Sequence, residues 1–495
     1  MPAHHPDYHN NPYHQKMAVP DIEFDIRQAS AQALAYVRKE SLDIYNRLHS
    51  IHEDVQFVQQ VHSAYPKLPI LPNLRCGAWY VDPEIATNVP AYFKSTDGHF
   101  GNWSFNLRRP NLHLLPLIIA NRGIILVDST RAGKRIPDAL SKTVPIWCAV
   151  INRAVALTHP DKEDWDDELY CPPIAVSEQE RTQIEARIDE WAAALKSSYV
   201  LPELPLPLRS LWLTPSTSVF PQLPDDDELA CLPVICVSAS KQVNEGMERR
   251  SNGFSYVQGS GDDHELWGMG LTPQLFWENK EMLLRCDRDE LPSVVAELVA
   301  ASKSRSAPET WKRQPTPISA VGGRLLVGAV PDMPSDLPRT LPDSERKMSY
   351  VVISAKSGPS GEGNDSDAPR SEYILRLQMA EGKKDQILFL QSIVPEATRY
   401  IKERLSMGDC VCVCCDSGKD ASVGVVLAAL QLFFDECGVL LVNDSGSSSP
   451  VNPSKDSIKT RLQWIISSRP EANPSRVTLK RVNEFLLSSP AFRRK

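Results

Sequence analysis

Residues 411–424 read Val-Cys-Val-Cys-Cys-Asp-Ser-Gly-Lys-Asp-Ala-Ser-Val-Gly, and this order of residue types decides the fold class. The first five are apolar and uncharged, as a buried strand requires. Asp416, Ser417, Gly418, Lys419 and Asp420 then interrupt the run with turn-forming residues. The apolar stretch 423–434 has the length of a helix. Strand, glycine-bearing loop and helix together make an α/β unit. Its loop amides and helix amino end point at one place, which suits a phosphate. The second glycine and the Lys-Ser/Thr pair of a nucleotide P-loop are missing.

Working outward, residues 324–330 and 349–355 read as strands. Residues 373–377 and 387–389 are shorter strand candidates, and 392–405 has helical spacing. Residues 303–317 are polar with three prolines and mark a domain boundary. Residues 358–370 form a Gly/Ser/Asp insertion, expected to be mobile. Before the boundary, 22–62 reads as helix, 123–128 as a buried strand and 231–238 as a short strand. Residues 177–196 give the clearest helix. Ser177 and Glu180 have capping-box spacing, and Ile184, Ile188, Trp191 and Leu195 form a core stripe. Residues 201–224 read as irregular because of their prolines. The expected division is a leader at 1–20, an N-terminal domain at 21–310 and a C-terminal domain at 318–495.

At 495 residues the chain exceeds one hydrophobic core. Its 42% hydrophobic and 23% charged content places it in the ordinary globular class. No apolar run approaches the ~20 residues of a spanning helix, so no membrane role is expected. The eleven cysteines show neither a disulfide framework nor zinc spacing, which points to a reducing, cytoplasmic setting. Net charge is −8, yet basic residues are concentrated. Residues 94–153 hold nine Lys/Arg against three acids, and 453–495 hold ten against three. Two such zones on an acidic chain suit a polyanion.

Four loops carry chemistry. The 411–424 loop matches the cysteine-phosphatase pattern of Cys, five residues, Arg, Ser/Thr, with Cys415 first and Ser422 last. The arginine position is Ala421, which cannot clamp phosphoryl oxygens. Phosphate binding through Ser417, Gly418, Lys419, Asp420 and Ser422 remains, without phosphatase catalysis. In 253–267, Asp262, Asp263, His264 and Glu265 follow a Gly-Ser-Gly turn among aromatics. They suit Mg²⁺ ligation or general-base work. Third, Asp128, Ser129, Thr130, Arg131, Lys134 and Arg135 follow the 123–128 strand and suit phosphates of a ligand or of RNA. Fourth, 93–109 alternates polar groups with aromatics and offers Asp97 or His99 as a base.

These runs together resemble the eukaryotic initiator-tRNA phosphoribosyl transferase family. The stretches are YFKSTDGHFGNWSFNLRR, GIILVDSTRAGKRIPDALSKTVPIWCAVINRA, GFSYVQGSGDDHELWGMGLTPQLFW, CCDSGKDASVGVVLAAL and NPSRVTLKRVNEFL. The resemblance implies a mixed α/β fold: a large N-terminal α/β domain and a C-terminal domain like the dual-specificity phosphatases. It implies transfer of 5-phosphoribosyl from phosphoribosyl pyrophosphate to the ribose 2′-hydroxyl of the T-stem adenosine at position 64 of initiator methionine tRNA. That mark keeps the initiator out of elongation. On this reading Asp262 and Asp263 contact Mg²⁺, and His264 or Asp97 is the base. Either the Asp128 loop or the Cys415 loop holds the donor phosphate. Arg108, Arg109, Arg135, Arg461, Arg476, Lys480 and Arg481 then face the tRNA backbone.

Overall fold

The computed structural model describes residues 31–487 except 33, 75, 88, 90, 108, 132, 163, 200, 226–227, 252, 305–310, 335, 341–345, 356–372, 381, 383 and 442–452. The leader 1–20, the insertion 358–370 and Arg108 lie outside the described residues.

The N-terminal sheet contains β1 (Ile70–Pro72), β2 (Ile124–Asp128), β3 (Leu208–Leu213) and β4 (Leu232–Ser238). All pairings are parallel, in the order β1-β2-β4-β3. The two central strands are buried along their whole length. Helices cover both faces, so these strands are continuous apolar runs. Alternation still sorts their side chains. Ile124 and Leu126 join the core of helices Val144–Thr158 and Ile188–Ser198, while Ile125 and Val127 join that of helices Ile44–Ala64 and Leu291–Ser304. Asp128 pairs with Ser238, so the carboxyl ends of β2 and β4 lie level. A hairpin of β5 (Met247–Arg249) and β6 (Ser255–Val257) follows.

Two expectations fail here. β3 lies within the stretch expected to be irregular. Prolines flank it without entering it, and it sits at the sheet edge, where lost donors matter least. The helix expected over 177–196 is two, Glu178–Glu185 and Ile188–Ser198, joined by a turn at Ala186 and Arg187. Its stripe is core as expected: Ile184, Ile188 and Leu195 are fully buried.

The second sheet runs β10-β9-β11-β8-β7, from β7 (Thr316–Pro317), β8 (Leu325–Ala329), β9 (Met348–Ser354), β10 (Ile374–Gln378) and β11 (Cys410–Cys415). Only the β7–β8 pairing is antiparallel among the described strands of this sheet. β11 lies between β8 and β9, and helix Ala421–Phe433 leaves its carboxyl end. The strand candidate 387–389 is helical. Its side chains belong to a helical stretch leading into Val394–Ser406, with Phe389 and Ile393 on one buried face. Trp311 packs with Leu326, Met348 and Tyr350, so the second core reaches back before residue 318.

Candidate active site

Open parallel sheets present ligand sites beyond the carboxyl ends of their strands. At the end of β2, Asp128 has no exposed surface. One carboxylate oxygen accepts from Asn73 Nδ2 at 2.8 Å; the other accepts from Cys76 Sγ and the Ser129 amide, each at 2.9 Å. This corrects the expectation that Asp128 contacts the donor: its carboxylate is the knot tying β1 to β2. Ser129 is likewise buried, and its hydroxyl meets Ser240 Oγ at 2.6 Å. Thr130 is 7% exposed. The side chains this loop offers to solvent are Arg131 and Lys134, with Arg135 half-buried beside Gln242.

The Gly-Ser-Gly-Asp-Asp run docks directly on this loop. Gln258 Nε2 donates to the carbonyls of Arg131 at 3.2 Å and Lys134 at 2.7 Å. Gly259 has φ +69°, and a Cβ there would stand 2.5 Å from the Thr130 carbonyl oxygen, so only glycine lets the backbones meet. The Gly261 amide donates to Tyr80 Oη at 2.7 Å. Arg131 then bridges both acids, with Nε 3.3 Å from Asp262 and Nη1 2.6 Å from Asp263. Arg47, from the helix Ile44–Ala64, donates to the Ser260 carbonyl at 3.3 Å. Burial pushes its guanidinium pKa down, against the pull of Tyr80, Asp262 and Asp263. His264 stacks obliquely on Trp79, with ring centroids 5.6 Å apart.

Asp97 and His99 lie on the other flank of the same loop. Their turn, Ser95–Gly98, packs on residues 138–143, and Thr143 Oγ1 donates to the Lys94 carbonyl. His99 Nε2 is 3.8 Å from Asp138, which also pairs with Lys134 and Lys142. Burial alone would raise the Asp138 pKa, but the two lysines hold it below the usual carboxylate range. Burial pushes Asp97 up, with Asn106 and Lys94 opposing. Three of the four runs singled out in the sequence therefore meet around residues 128–138.

The Cys415 loop does not join them, and its interior is filled. Arg469, 3% exposed, donates through Nε to the Gly418 carbonyl at 3.0 Å and through Nη1 to Thr316 Oγ1 at 2.8 Å. Gly418 and Ser422 are buried, and Ser422 Oγ is 3.0 Å from the Cys415 thiol. Asp420 accepts from the Ser475 amide at 2.8 Å. The phosphate-cradle expectation is corrected for Gly418, Asp420 and Ser422, which hold the loop together. Ser417 and Lys419 are exposed.

Among the RNA-facing candidates, Arg461 is also corrected. It is 1% exposed and donates to the carbonyls of Phe434 at 3.0 Å and Leu430 at 3.3 Å, at the end of the helix Ala421–Phe433. Arg476 and Lys480 are exposed on the helix Arg476–Leu487, and Arg481 pairs with Glu484 at 2.6 Å. Arg109 lies 4.3 Å from the Tyr92 ring centroid and donates to the Ala472 carbonyl at 3.3 Å, joining the two domains. Sequence reasoning missed Arg47, Tyr80, Ser240 and Arg469. In the sequence Arg469 shows only as one member of the basic zone 453–495.

Among the described residues, no group of three His, Cys, Asp or Glu side chains is placed to hold a metal ion. Asp262 and Asp263 converge on one cationic group, the Arg131 guanidinium. Two carboxylates on adjacent residues are the kind of oxygen donor a hard divalent cation takes, and here both are engaged by Arg131. A cavity of about 690 Å³ lies at the opposite, amino end of the sheet, beside Leu68 and Arg122, and is not part of this site.

A parallel α/β sheet with arginines and carboxylates at its carboxyl edge, followed by a second α/β domain with a phosphatase-like loop lacking its arginine, defines a two-domain α/β protein. Residues 37–300 match the family described as the Rit1 N-terminal domain, and 373–486 match the Rit1 DUSP-like domain. The tRNA A64-2′-O-ribosylphosphate transferase of Saccharomyces cerevisiae is 33% identical over 493 residues, spanning 91% of this chain and 93% of its own. An uncharacterized protein of Schizosaccharomyces pombe is 34% identical over 454 residues, spanning 90% and 94%. The solved structure of human DUSP28 is 15% identical, covering 37% of this chain and 97% of its own, at a TM-score of 0.24. The chain belongs to the Rit1 family.

Proposed function

We propose that this chain is a pentosyltransferase that moves 5-phosphoribosyl from phosphoribosyl pyrophosphate to the 2′-hydroxyl of adenosine 64 in initiator methionine tRNA, in the cytoplasm. The observation that carries this reading is the seating of residues 258–263 on the Asp128 loop, with Arg131 and Arg47 beside two carboxylates. A further support is the likeness to the Saccharomyces cerevisiae transferase over nearly the whole chain.

In the reaction, the bond from the ribose anomeric carbon to the 2′-oxygen forms and the bond to pyrophosphate breaks. The 2′-hydroxyl proton passes to a base, and pyrophosphate leaves. Arg131, Arg47 and Lys134 offer positive charge to the donor phosphates, so positioning supplies much of the acceleration. Mg²⁺, held by Asp262 and Asp263, would neutralise charge on the leaving pyrophosphate. His264 belongs to the same run as those carboxylates and is the better-placed base; His99 stands with Asp138 instead, and Asp97 with Asn106 and Lys94. Exposed Arg476 and Lys480 track the tRNA backbone. The Cys415 loop does not favour phosphatase chemistry, because its thiol is buried and Ala421 brings no guanidinium.

The test is incubation of the chain with phosphoribosyl pyrophosphate, Mg²⁺ and purified initiator or elongator methionine tRNA, followed by mass spectrometry of nuclease digests. The expected result is one added ribosyl phosphate at adenosine 64 of the initiator. No mass gain on either tRNA contradicts the activity. Equal gain on both contradicts the initiator preference.

A further inference from the structure

Behind the candidate site lies a buried chain of polar groups that the mechanism above leaves unused. Asp54, on the helix Ile44–Ala64, is 3% exposed. Its Oδ2 meets Ser240 Oγ at 2.6 Å, and its Oδ1 meets Tyr256 Oη at 2.7 Å. Ser240 follows β4 and is the hub. Its hydroxyl also meets Ser129 Oγ at 2.6 Å and accepts the Gly259 amide at 3.2 Å. One carboxyl group thus connects the helix, the end of β4, the Asp128 loop and the 259–262 turn.

The direction of this chain depends on one proton. Ser240 Oγ has a single hydrogen and already accepts from Gly259, and the Tyr80 hydroxyl lies against both Ser240 and Ser129. When Asp54 is ionised, Ser240 must donate to it, and Ser129 must donate to Ser240. When Asp54 is protonated on Oδ2, it donates to Ser240, Ser240 donates to Ser129, and the Ser129 proton is released to its other neighbours, the Tyr80 hydroxyl among them. We propose that Asp54 is a positioning residue for the transfer site: through Ser240 it sets the polarity of the Ser129 hydroxyl and so seats the Asp128–Arg131 loop against residues 259–262. This rests on the transferase reading above.

The charged and titratable surroundings favour the protonated form at neutral pH. Burial pushes the Asp54 carboxyl up to about 8, and Ser240 and Tyr256 only partly oppose it. On its own helix, Glu53 adds repulsion, although Arg250 pairs with it at 2.6 Å. From β6 comes Tyr256, and from the turn after Gly77–Trp79 comes Tyr80; burial pushes both phenols up, so both stay neutral. Beyond Ser240, Lys241 turns its ammonium to Glu248 at 3.6 Å.

The test uses the full chain in the transfer assay, with donor and tRNA KM measured across the pH range on both sides of 8. Transfer by the wild type must be seen first. Its absence refutes the transferase reading and not this one, so the two failures are distinguishable. The wild-type kcat/KM for phosphoribosyl pyrophosphate is expected to fall about tenfold per pH unit above the Asp54 transition. Asp54→Asn, which cannot ionise and whose amide donates to Ser240 as the protonated carboxyl does, should lose that alkaline limb while keeping the neutral-pH donor KM, with tRNA KM within about twofold. Ser240→Ala removes the hub while keeping Asp54, and should lose the alkaline limb and raise the donor KM roughly tenfold; Ser240→Thr, which keeps the hydroxyl, should restore the wild-type profile. A wild-type alkaline limb in Asp54→Asn, or a wild-type pH profile and donor KM in Ser240→Ala, overturns the proposal.

Discussion

Replacing Arg131 by alanine separates a functional guanidinium from a structural one. Its side chain is 65% exposed, although it reaches Asp262 at 3.3 Å and Asp263 at 2.6 Å. Solvent screens such a pair, so its contribution to stability is at most about 1 kcal/mol. Asp262 is 10% exposed and loses a partner, but its backbone carbonyl still accepts from Trp267 Nε1 at 3.3 Å, which keeps the turn in place. Arg131→Ala should therefore melt within a few degrees of the wild type. Catalysis should respond far more. A guanidinium making two charge-assisted bonds to a donor phosphate is worth about 3–6 kcal/mol, or roughly 10²–10⁴ in kcat/KM for the donor. Arg131→Lys keeps the charge but loses the planar fork, and should recover only part. The assay is transfer to tRNA under varied donor concentration, with thermal melts of the same samples. Transfer by Arg131→Ala within about threefold of the wild type, in a protein that melts normally, refutes the assignment of Arg131 to the donor.

Further outcomes follow from the corrected residues. Arg461→Ala should cost about 3 kcal/mol of stability, because it strips the carbonyls of Leu430 and Phe434 of their donor, and should leave tRNA affinity of the folded protein unchanged; denaturant melts and filter binding check this. Cys415→Ser should transfer at the wild-type rate, since the thiol has no exposed surface and lies outside the proposed site. For Asp54 the sign follows from a folded pKa near 8 against an ordinary 3.8. The folded state keeps a proton that the unfolded chain releases, so the contribution is present below the ordinary value and is lost as pH rises toward 8. Melting of the wild type should fall between pH 5 and 8 more steeply than that of Asp54→Asn.

The two-domain α/β architecture was legible wherever burial is complete. The 123–128 run is a strand with helices on both faces, and the 410–415 run has helices on one face and Trp311, Met333 and Leu337 on the other, so both are buried throughout and leave an uninterrupted apolar signal. β3 was hidden because its neighbouring prolines are a local signal, while its pairing to β4 is a distant one. The site was half legible. Residues 128–135 and 262–264 stood out by composition, but which of their side chains face outward did not. Asp128 looks like a ligand in sequence and is a buried knot in space. Arg461 and Arg469 counted toward a basic surface and are buried clasps on backbone carbonyls. Arg47 and Asp54 lie on an amphipathic helix 213 and 186 residues before their partners Ser260 and Ser240, and no local pattern joins them.

The most direct test of the account is a structure of the full chain with phosphoribosyl pyrophosphate. The account predicts the donor phosphates within hydrogen-bond distance of Arg131, against residues 259–263 and beyond the ends of β2 and β4. Donor phosphates held instead by Ser417 and Lys419 of the Cys415 loop, with the Arg131 site empty, would contradict it.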